Sequence, residues 1–265
     1  MPAEQFPVLT PALVREIEAL KAEYYAARVQ GQIEAGTDDV AVARFRHATA
    51  FRWPSAQRVY GLGALDLDSL DEIEAWLDPD RPAWFYVLPL PEDEPLRDAL
   101  TERGYVLRRS QSVLYGIPFL DRTAPDGMRV RWAGPEDMPL FARTFVEAYG
   151  WEAEEREDIE GSLLAQYSGS RWRCCLAEVE SKPVAIGVLY VGDRVAFLTN
   201  AATKEDYRGR GCQSALQRLR VTRAALEGCA LIASDTTPYS QSQRNLERAG
   251  LRLAYQQVVW ERPPA

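Results

Sequence analysis

Residues that commonly bind metals are scarce in this sequence, which has one histidine and four cysteines in 265 residues. The cysteines form no Cys-x-x-Cys pair, and His47 has no cysteine or carboxylate at ligand spacing. We therefore expect no metal site. The same pattern predicts four reduced thiols at Cys174, Cys175, Cys212 and Cys229, as is usual in the cytoplasm.

Long apolar runs are also missing, since the longest stretch without a charged residue is the eleven residues Ser110 to Leu120. A membrane-spanning helix needs about 20 apolar residues, so we expect no membrane partner. The first residues, Met-Pro-Ala-Glu-Gln, lack the cationic start and apolar core of a secretory signal. A cytoplasmic location is the expectation.

An excess of basic residues is the third absence. The chain has 31 Lys and Arg against 39 Asp and Glu, a formal net charge of -8. Such a charge opposes nonspecific binding to nucleic acid, and we expect no nucleic-acid partner. A local basic patch can still bind one small polyanion. The oligomeric expectation stays open between a monomer and a homodimer.

What the sequence does contain is a repeated order of strands and helices. The segment Leu100 to Leu107 aligns with Leu246 to Leu253 at an offset of 146 residues, and the order of elements before each segment is alike. The length also suits two domains. We expect domains at residues 1–120 and 127–265, joined by a linker rich in Pro, Asp, Thr and Gly. The predicted class is α/β (α+β), each half being a mixed β-sheet flanked by α-helices.

The stretch from Asn200 to Leu216 carries the chemistry. It begins at the end of an apolar strand and continues into an amphipathic helix. Gly209 and Gly211 would let the backbone approach a ligand closely, and N–H groups at a helix start bind phosphate. Two arginines, Arg208 and Arg210, add positive charge. The alternative is a glycine-rich turn with a steric role only.

The run Tyr207-Arg-Gly-Arg-Gly211 resembles the acetyl-coenzyme A signature of the GNAT N-acetyltransferase superfamily, Arg/Gln-x-x-Gly-x-Gly/Ala. Arg208 and Gly211 match its first two fixed positions, and Gln213 departs from the third. The resemblance covers residues 128–262. The first half shows no such motif and has acidic Asp66 and Asp68 at the corresponding turn, where they would repel pyrophosphate. The sequence thus resembles a tandem GNAT protein with a degenerate N-terminal copy.

This resemblance implies acetyl-coenzyme A as the co-substrate. The pantetheine arm would lie along Ala201, Ala202 and Thr203. The pyrophosphate would bind the backbone amides of Arg208, Gly209, Arg210, Gly211, Cys212, Gln213 and Ser214. The amide of Asn245 could contact the cofactor, although a hydrogen bond within its own helix is the alternative.

The general acid is harder to place, because Leu246 stands where many members of the family have a tyrosine. The candidate catalytic residues are Tyr239, Tyr255, Asn200 and Asp235, with Ser240 and Ser242 as hydroxyl alternatives. Tyr239 is favoured narrowly over Tyr255 because a turn exposes its hydroxyl. Asp235 could orient a water molecule or cap the next turn.

Three residues are candidates for the acceptor pocket, namely Glu147, Tyr149 and Trp151. The function we expect is transfer of an acetyl group to an amine of a small molecule or peptide by direct attack on the thioester. One alternative is a non-catalytic sensor or scaffold that binds acyl-coenzyme A. A structural partner protein without a ligand is the other.

Overall fold

A computed structural model describes residues 6–121, 123, 126–151 and 156–262, with the backbone alone for residues 156–158. The chain divides into two compact units. Unit 1 comprises the described residues of Met1–Val113, Thr236–Pro238 and Ala254–Ala265. Unit 2 comprises those of Leu114–Asp235 and Tyr239–Leu253.

The described residues hold seven α-helices and eleven strands. The helices are α1 (Pro11–Glu34), α2 (Leu70–Trp76), α3 (Glu94–Glu102), α4 (Met138–Tyr149), α5 (Arg156–Gln166), α6 (Cys212–Leu226) and α7 (Gln241–Arg248). The strands are β1 (Ala41–Arg44), β2 (Thr49–Trp53), β3 (Ala56–Leu62), β4 (Ala83–Val87), β5 (Val106–Gly116), β6 (Arg129–Trp132), β7 (Trp172–Val179), β8 (Lys182–Val191), β9 (Val195–Thr203), β10 (Leu231–Thr236) and β11 (Arg252–Arg262). The expected mixed α/β class is confirmed.

Unit 1 contains a mixed sheet in the order β1-β2-β3-β4-β11-β5. Neighbours are antiparallel from β1 to β3 and between β4 and β11, whereas β3 and β4 are parallel. Apolar side chains of α2 and α3, such as Ile73 and Leu96, pack with Val59 and Phe85 in one buried cluster. This cluster removes apolar surface from water and holds both helices to the sheet.

The longest helix of unit 1, α1, begins where its sequence predicts. Thr10 Oγ1 accepts a hydrogen bond from the backbone N–H of Leu13 at 3.2 Å, and Pro11 occupies the first turn. A threonine cap and a proline at this position both favour a helix start. Ile17 and Val29 are fully buried, which fixes the face that α1 turns to the core.

Unit 2 contains a mixed sheet in the order β5-β10-β9-β8-β7-β6, to which β5 contributes residues 114–116. The strands from β6 to β9 are antiparallel neighbours, and β10 runs parallel to β9. One face of α6 is buried on this sheet through Leu216, Val221 and Ala224. In the described part of the chain no helix is long and apolar enough to cross a membrane.

The last strand groups differently from the sequence expectation of a domain at 127–265. Residues 254–262 belong to unit 1, where β11 pairs with β4 from Val259 opposite Tyr86 to Arg262 opposite Ala83. Residues 114–116, at the end of β5, belong to unit 2. A sequence pattern identifies a strand but not the sheet that receives it.

A buried polar network joins α1 to β11 within unit 1. Lys21 Nζ donates to Glu18 Oε1 at 3.1 Å and to Gln257 Oε1 at 2.6 Å. The amide of Gln257 donates to Glu18 Oε2 at 2.8 Å, and Tyr255 Oη donates to Glu18 Oε1 at 2.6 Å. The side chains of Lys21 and Glu18 are 0% and 1% exposed, so the pair depends on these bonds in place of water.

We expect Lys21→Met to lower the free energy of unfolding by about 3–5 kcal/mol, because it leaves the Glu18 carboxylate buried without its counter-charge. The matched control is Lys182→Met at an exposed position of β8, where we expect a change within about 0.5 kcal/mol. Urea titration followed by far-UV circular dichroism measures both. Equal losses in the two variants would contradict the assignment.

Candidate functional site

Unit 2 has a cavity of about 870 Å³ beside the end of β9, the loop that follows it and the starts of α6 and α7. Ten residues expected to bind coenzyme A line this cavity, namely Ala201, Ala202, Thr203, Arg208, Gly209, Gly211, Cys212, Gln213, Ser214 and Asn245. The structure adds Ala148, Tyr207, Gln241 and Arg248, together with the acceptor candidate Tyr149. One loop, two helix starts and one strand end therefore share a single cavity.

The cavity exists because β9 and β10 part. They pair in parallel from Val195 opposite Leu231 to Phe197 opposite Ala233, and the ladder between them ends there. Ser234 Oγ donates to the carbonyl oxygen of Leu198 at 2.8 Å, just beyond the last pair. β9 then continues to Thr203. In the described residues, this last part of β9 has β8 as its ladder partner on one side and no ladder with β10 on the other.

A β-bulge bends β9 where the strands part. Gly187 lies opposite Ala201 and Val188 opposite Thr199, so Asn200 is the extra residue. Its φ of 34° is in the left-handed region, which asparagine tolerates better than most residues. The side-chain amide of Asn200 donates a hydrogen bond to the hydroxyl of Tyr167, which holds the bulge to the segment after α5. A bulge increases the local bend of its strand.

A buried cation lies beneath the bulge. Arg220 of α6 is 2% exposed and donates from Nη1 to the carbonyl oxygens of Val188 at 3.1 Å and Thr199 at 3.2 Å. Its Nε donates to Leu216 O at 3.2 Å. Burial lowers the pKa of Arg220, because the charged form loses hydration. Its partners are carbonyl oxygens, and among the described residues it forms no ion pair with a carboxylate.

Gly187 provides the space for this guanidinium. A Cβ atom at Gly187 would lie 3.0 Å from Arg220 Nε and 3.2 Å from Cys175 Sγ. The thiol of Cys175 donates to the carbonyl oxygen of Gly187 at 3.1 Å, and burial raises the pKa of Cys175 to about 12. The glycine is therefore required by a close approach of side chains.

The loop after β9 uses its glycines for backbone conformation. Gly209 and Gly211 have φ values of 77° and 81°. A Cβ at Gly209 would meet no atom within 4 Å, and one at Gly211 would meet only Met128 Cε at 3.9 Å. Both sites favour glycine because of the positive φ angle. Open space around them is available to a ligand.

The N-terminus of α6 faces this open space without a side-chain cap. Gly211 is its N-cap, and no side chain accepts a hydrogen bond there. The first N–H groups of a helix have no acceptor within the helix, and its dipole favours an anion at this end. Gln213 Nε2 donates to Thr203 Oγ1 at 2.9 Å, which links α6 to the end of β9.

Two arginines line the cavity, Arg208 and Arg248. Arg208 Nε donates to Thr203 O at 3.3 Å, and its ion pair with Glu205 at 3.9 Å is solvent-exposed. The guanidinium of Arg210 lies 5.0 Å from the ring centre of Tyr207. Arg210 is not among the described residues that line the cavity. Its contact is with Tyr207, which does line it.

The α7 side of the cavity is built from local helix contacts. Asn245 Oδ1 accepts from Arg248 Nη2 at 2.6 Å and from Gln241 Nε2 at 2.9 Å. Ser240 caps α7 by accepting from Gln243 N at 3.2 Å. Leu246 is buried in the core. The spacing of Gln241, Asn245 and Arg248 along one helix face is a signal that the sequence analysis missed.

An aromatic wall borders the cavity at α4. Tyr149 is 43% exposed and stacks on Phe145 and Trp151, with ring centres 4.7 and 5.4 Å apart. Glu147 forms an ion pair with Lys204 at 2.5 Å, and so joins α4 to the loop after β9. Of the three acceptor candidates, Tyr149 lines the cavity, whereas Glu147 and Trp151 support its wall.

The candidate catalytic residues are spread more widely. Tyr239 is 84% exposed, has a φ of 60° and stands outside the set of described lining residues. Tyr255 belongs to unit 1, where its hydroxyl donates to Glu18. Asp235 lies near the end of β10, half-buried. Asn200, the bulge residue, directly precedes residues 201–203, which line the cavity.

Three residues that shape the site had no local signal in the sequence: Tyr167, Gly187 and Arg220. Each acts on β9 from a different element, so its role depends on long-range packing. All four cysteines are free and buried. The residues that the structure describes include no group of three or more His, Cys, Asp or Glu side chains that could hold a metal ion.

No protein-family model matches the sequence, and no curated protein does. Solved structures do match the fold. A tandem GNAT protein from the clavulanic acid biosynthesis pathway, solved without AcCoA, has a TM-score of 0.63 and 12% identity, with 98% of each chain covered. The fold is GNAT-like. A GCN5-related N-acetyltransferase from Kribbella flavida gives 0.62 and 14%, with 92% of this chain and 96% of that chain covered.

A third GNAT-like match is a GCN5-related N-acetyltransferase from Sphaerobacter thermophilus, with a TM-score of 0.57 and 15% identity. It covers 82% of this chain and 76% of that chain. These similarities establish the GNAT-like fold, and the tandem protein shares it over nearly the whole length. The resemblance seen in the sequence is confirmed at the level of the fold.

We expect Gly187→Ala to destabilise the protein by about 1–3 kcal/mol, because the added methyl group overpacks Arg220 and Cys175. The matched control is Gly161→Ala in α5, where a Cβ meets no atom within 4 Å. Alanine should stabilise that helix by about 0.5–1 kcal/mol. Urea denaturation measures the change in the free energy of unfolding for both variants. No change for Gly187→Ala would contradict the close approach.

Proposed function

We propose that the chain is an N-acetyltransferase that transfers an acetyl group from acetyl-coenzyme A to an amine of a small molecule or peptide. One observation carries the proposal: the parted edge of β9 leads directly to the uncapped N-terminus of α6 within one cavity. The edge of β9 offers backbone donors and acceptors, and the N-terminus of α6 offers N–H donors. An extended ligand with amides in one part and phosphates in another would fit both.

The edge of β9 suits the pantetheine arm. Residues 201–203 line the cavity and have no ladder with β10 in the described structure. Backbone N–H and C=O groups at such an edge can bind an extended chain as an added strand would be bound. The two amides of a pantetheine arm supply the complementary groups.

The start of α6 suits the pyrophosphate. Gly209 and Gly211 leave the backbone uncovered, and the N–H groups of Cys212, Gln213 and Ser214 belong to the first turn. A phosphate here would accept hydrogen bonds at the positive end of the helix dipole. Arg208 and Arg248 line the same cavity and add charge of the opposite sign to phosphate.

Acetyl-coenzyme A, when bound, would supply the acetyl thioester. The residues at the bulge would then orient the thioester carbonyl, because Asn200 bends β9 toward the point where the strands part. Backbone N–H groups there would stabilise negative charge that develops on the carbonyl oxygen. Arg220 lies beneath the same turn and contributes a buried positive charge.

The acceptor would enter on the α4 side. Tyr149 presents an aromatic surface to the cavity, held in place by its stacks on Phe145 and Trp151. The amine nitrogen would attack the thioester carbon directly, forming the C–N bond as the C–S bond breaks. A water chain would accept the proton from the attacking nitrogen, and coenzyme A would leave as a thiolate that takes up a proton from the same water.

Tyr239 is 84% exposed and is not among the described residues that line the cavity, so we propose that it is not the general acid. We expect Tyr239→Phe to keep turnover within about twofold, since a true general acid contributes about 100- to 10,000-fold. Thiol release from acetyl-coenzyme A across a panel of primary amines measures turnover. A tenfold loss at unchanged coenzyme A affinity would restore Tyr239 as the acid.

We expect Gly211→Glu to weaken coenzyme A binding by at least about 100-fold, because a carboxylate would stand where the pyrophosphate binds. The matched control is Gly228→Glu at the other end of α6. Gly228 has a φ of 79° and open space around it. Both variants strain the backbone equally, so isothermal titration separates strain from the site. Equal affinities in the two variants would contradict the site.

The same titration counts the sites. We expect one coenzyme A per chain, since unit 1 places Asp66 at its strand-to-helix turn, where phosphate would be repelled. A chain that binds coenzyme A but releases no thiol with any amine would favour the non-catalytic sensor, which the exposed Tyr239 and the buried Leu246 also allow.

A further inference from the structure

Unit 1 has its own cavity, with a volume of about 420 Å³. It lies beyond the carboxyl ends of β3 and β4, which are parallel neighbours up to Leu62 and Val87. Its wall includes the helix α1 and the segments that follow these two strands. Ligands of open α/β sheets commonly bind at the carboxyl ends of parallel strands.

In each of two buried carboxylates of this cavity, one oxygen accepts a hydrogen bond and the other does not. Asp66 Oδ2 accepts from Gly63 N at 3.0 Å, and Asp93 Oδ1 accepts from Ala64 N at 2.7 Å. The other oxygens, Asp66 Oδ1 and Asp93 Oδ2, are buried and have no hydrogen-bond partner. The residues are 0% and 2% exposed, and both line the cavity. A buried acceptor without a donor costs about 1–3 kcal/mol, and more when charged.

The backbone is shaped around these carboxylates. A Cβ at Gly63 would lie 3.0 Å from Asp93 Oδ1 and 3.3 Å from Leu88 Cδ1. Glycine at this position lets Asp93 reach the N–H of Ala64. Burial raises the pKa of Asp93, and the hydrogen bond from Ala64 opposes that rise. The site therefore holds a carboxylate whose lost hydration is only partly replaced.

The other charged groups of the wall do not complete the site. Glu92 is paired with Arg15 at 2.6 Å, and Glu18 is bound by Lys21, Tyr255 and Gln257. His47 Nδ1 lies 3.4 Å from Asp66 Oδ1 without forming a hydrogen bond, and the two side chains make an ion pair only when the imidazole is protonated. Asp66 Oδ1 and Asp93 Oδ2 are thus the buried carboxylate oxygens of this wall that accept no hydrogen bond.

We propose that this cavity binds a small organic amine as its cation, with the ammonium group at Asp66 and Asp93. An ammonium has three N–H donors, which suit two acceptors without partners. Ala19, Ala22, Leu65 and Leu88 provide an apolar wall for the carbon skeleton. An organic cation is favoured over a metal ion because the described residues form no metal-binding group.

The proposal goes beyond the proposed function, since it concerns a separate unit and needs no acetyl group. The test is isothermal titration of the full chain with butylamine, cyclohexylamine and 2-phenylethylamine, and with the neutral 2-phenylethanol. We expect at least one amine to bind with a Kd below about 1 mM and the alcohol to bind at least tenfold more weakly. Failure of all three amines would overturn the proposal.

Variants then locate the amine. Asp66→Asn and Asp93→Asn should each weaken its binding at least tenfold, while the side-chain oxygen of asparagine can still accept from the backbone. The matched control is Asp98→Asn on the exposed face of α3, which should leave binding unchanged. Full affinity in both site variants would show that the amine binds elsewhere, which would overturn the proposal.

A second variant guards against loss of the fold. Ala22→Phe keeps both carboxylates and fills the cavity, so it should abolish amine binding, and retained binding would overturn the proposal. Gly211→Glu should leave amine binding unchanged, whatever its effect on coenzyme A. Loss of amine binding in that variant would assign the amine to unit 2 and overturn the proposal, whereas failure of coenzyme A binding alone concerns only the acetyltransferase function.

Discussion

Arg220 places a positive charge inside unit 2 with backbone carbonyl oxygens as its partners, and the site depends on that arrangement. Its hydrogen bonds to Val188 and Thr199 bridge the two strands at the register shift, where Asn200 becomes the extra residue. A buried charge of this kind is costly unless its donors are used. The bulge that bends β9 beside the cavity is therefore held by one guanidinium, and the absence of a Cβ at Gly187 leaves room for it.

In both units a cavity lies at the end of a strand that has a parallel neighbour, but the charged residues that the following turns bring to the two cavities are of opposite sign. In unit 2 the turn after β9 brings glycines, arginines and a free helix start to the cavity. In unit 1 the turn after β3 brings Asp66, and the turn after β4 brings Asp93. Because the sign of charge at a buried position selects the sign of the ligand, similar strand arrangements need not share a ligand class. This contrast supports one coenzyme A per chain.

Much of the fold could be predicted because its signals are local. Hydrophobic periodicity identified the order of strands and helices. A phosphate site could be proposed at residues 208–214 because the glycines, the arginines and the helix start follow one another in the sequence. The roles of Arg220 and Tyr167 could not be predicted from the sequence, because each side chain contacts β9 from another element. The grouping of residues 254–262 with unit 1 likewise depends on a long-range contact, the pairing of β11 with β4. Tyr239 was favoured as an exposed phenol; it is 84% exposed and is not among the described residues that line the cavity.

The polar groups buried in unit 1 separate into two kinds, and the difference indicates their roles. Glu18 receives donors from Lys21, Tyr255 and Gln257, so its network is closed and needs nothing from outside. Asp66 and Asp93 each keep one buried oxygen without a donor, within the same cavity wall. A closed network specifies packing, whereas an open one retains a desolvation cost in the unliganded fold. Binding of a cation would remove that cost, so the second pair has the properties of a ligand site and the first those of a core.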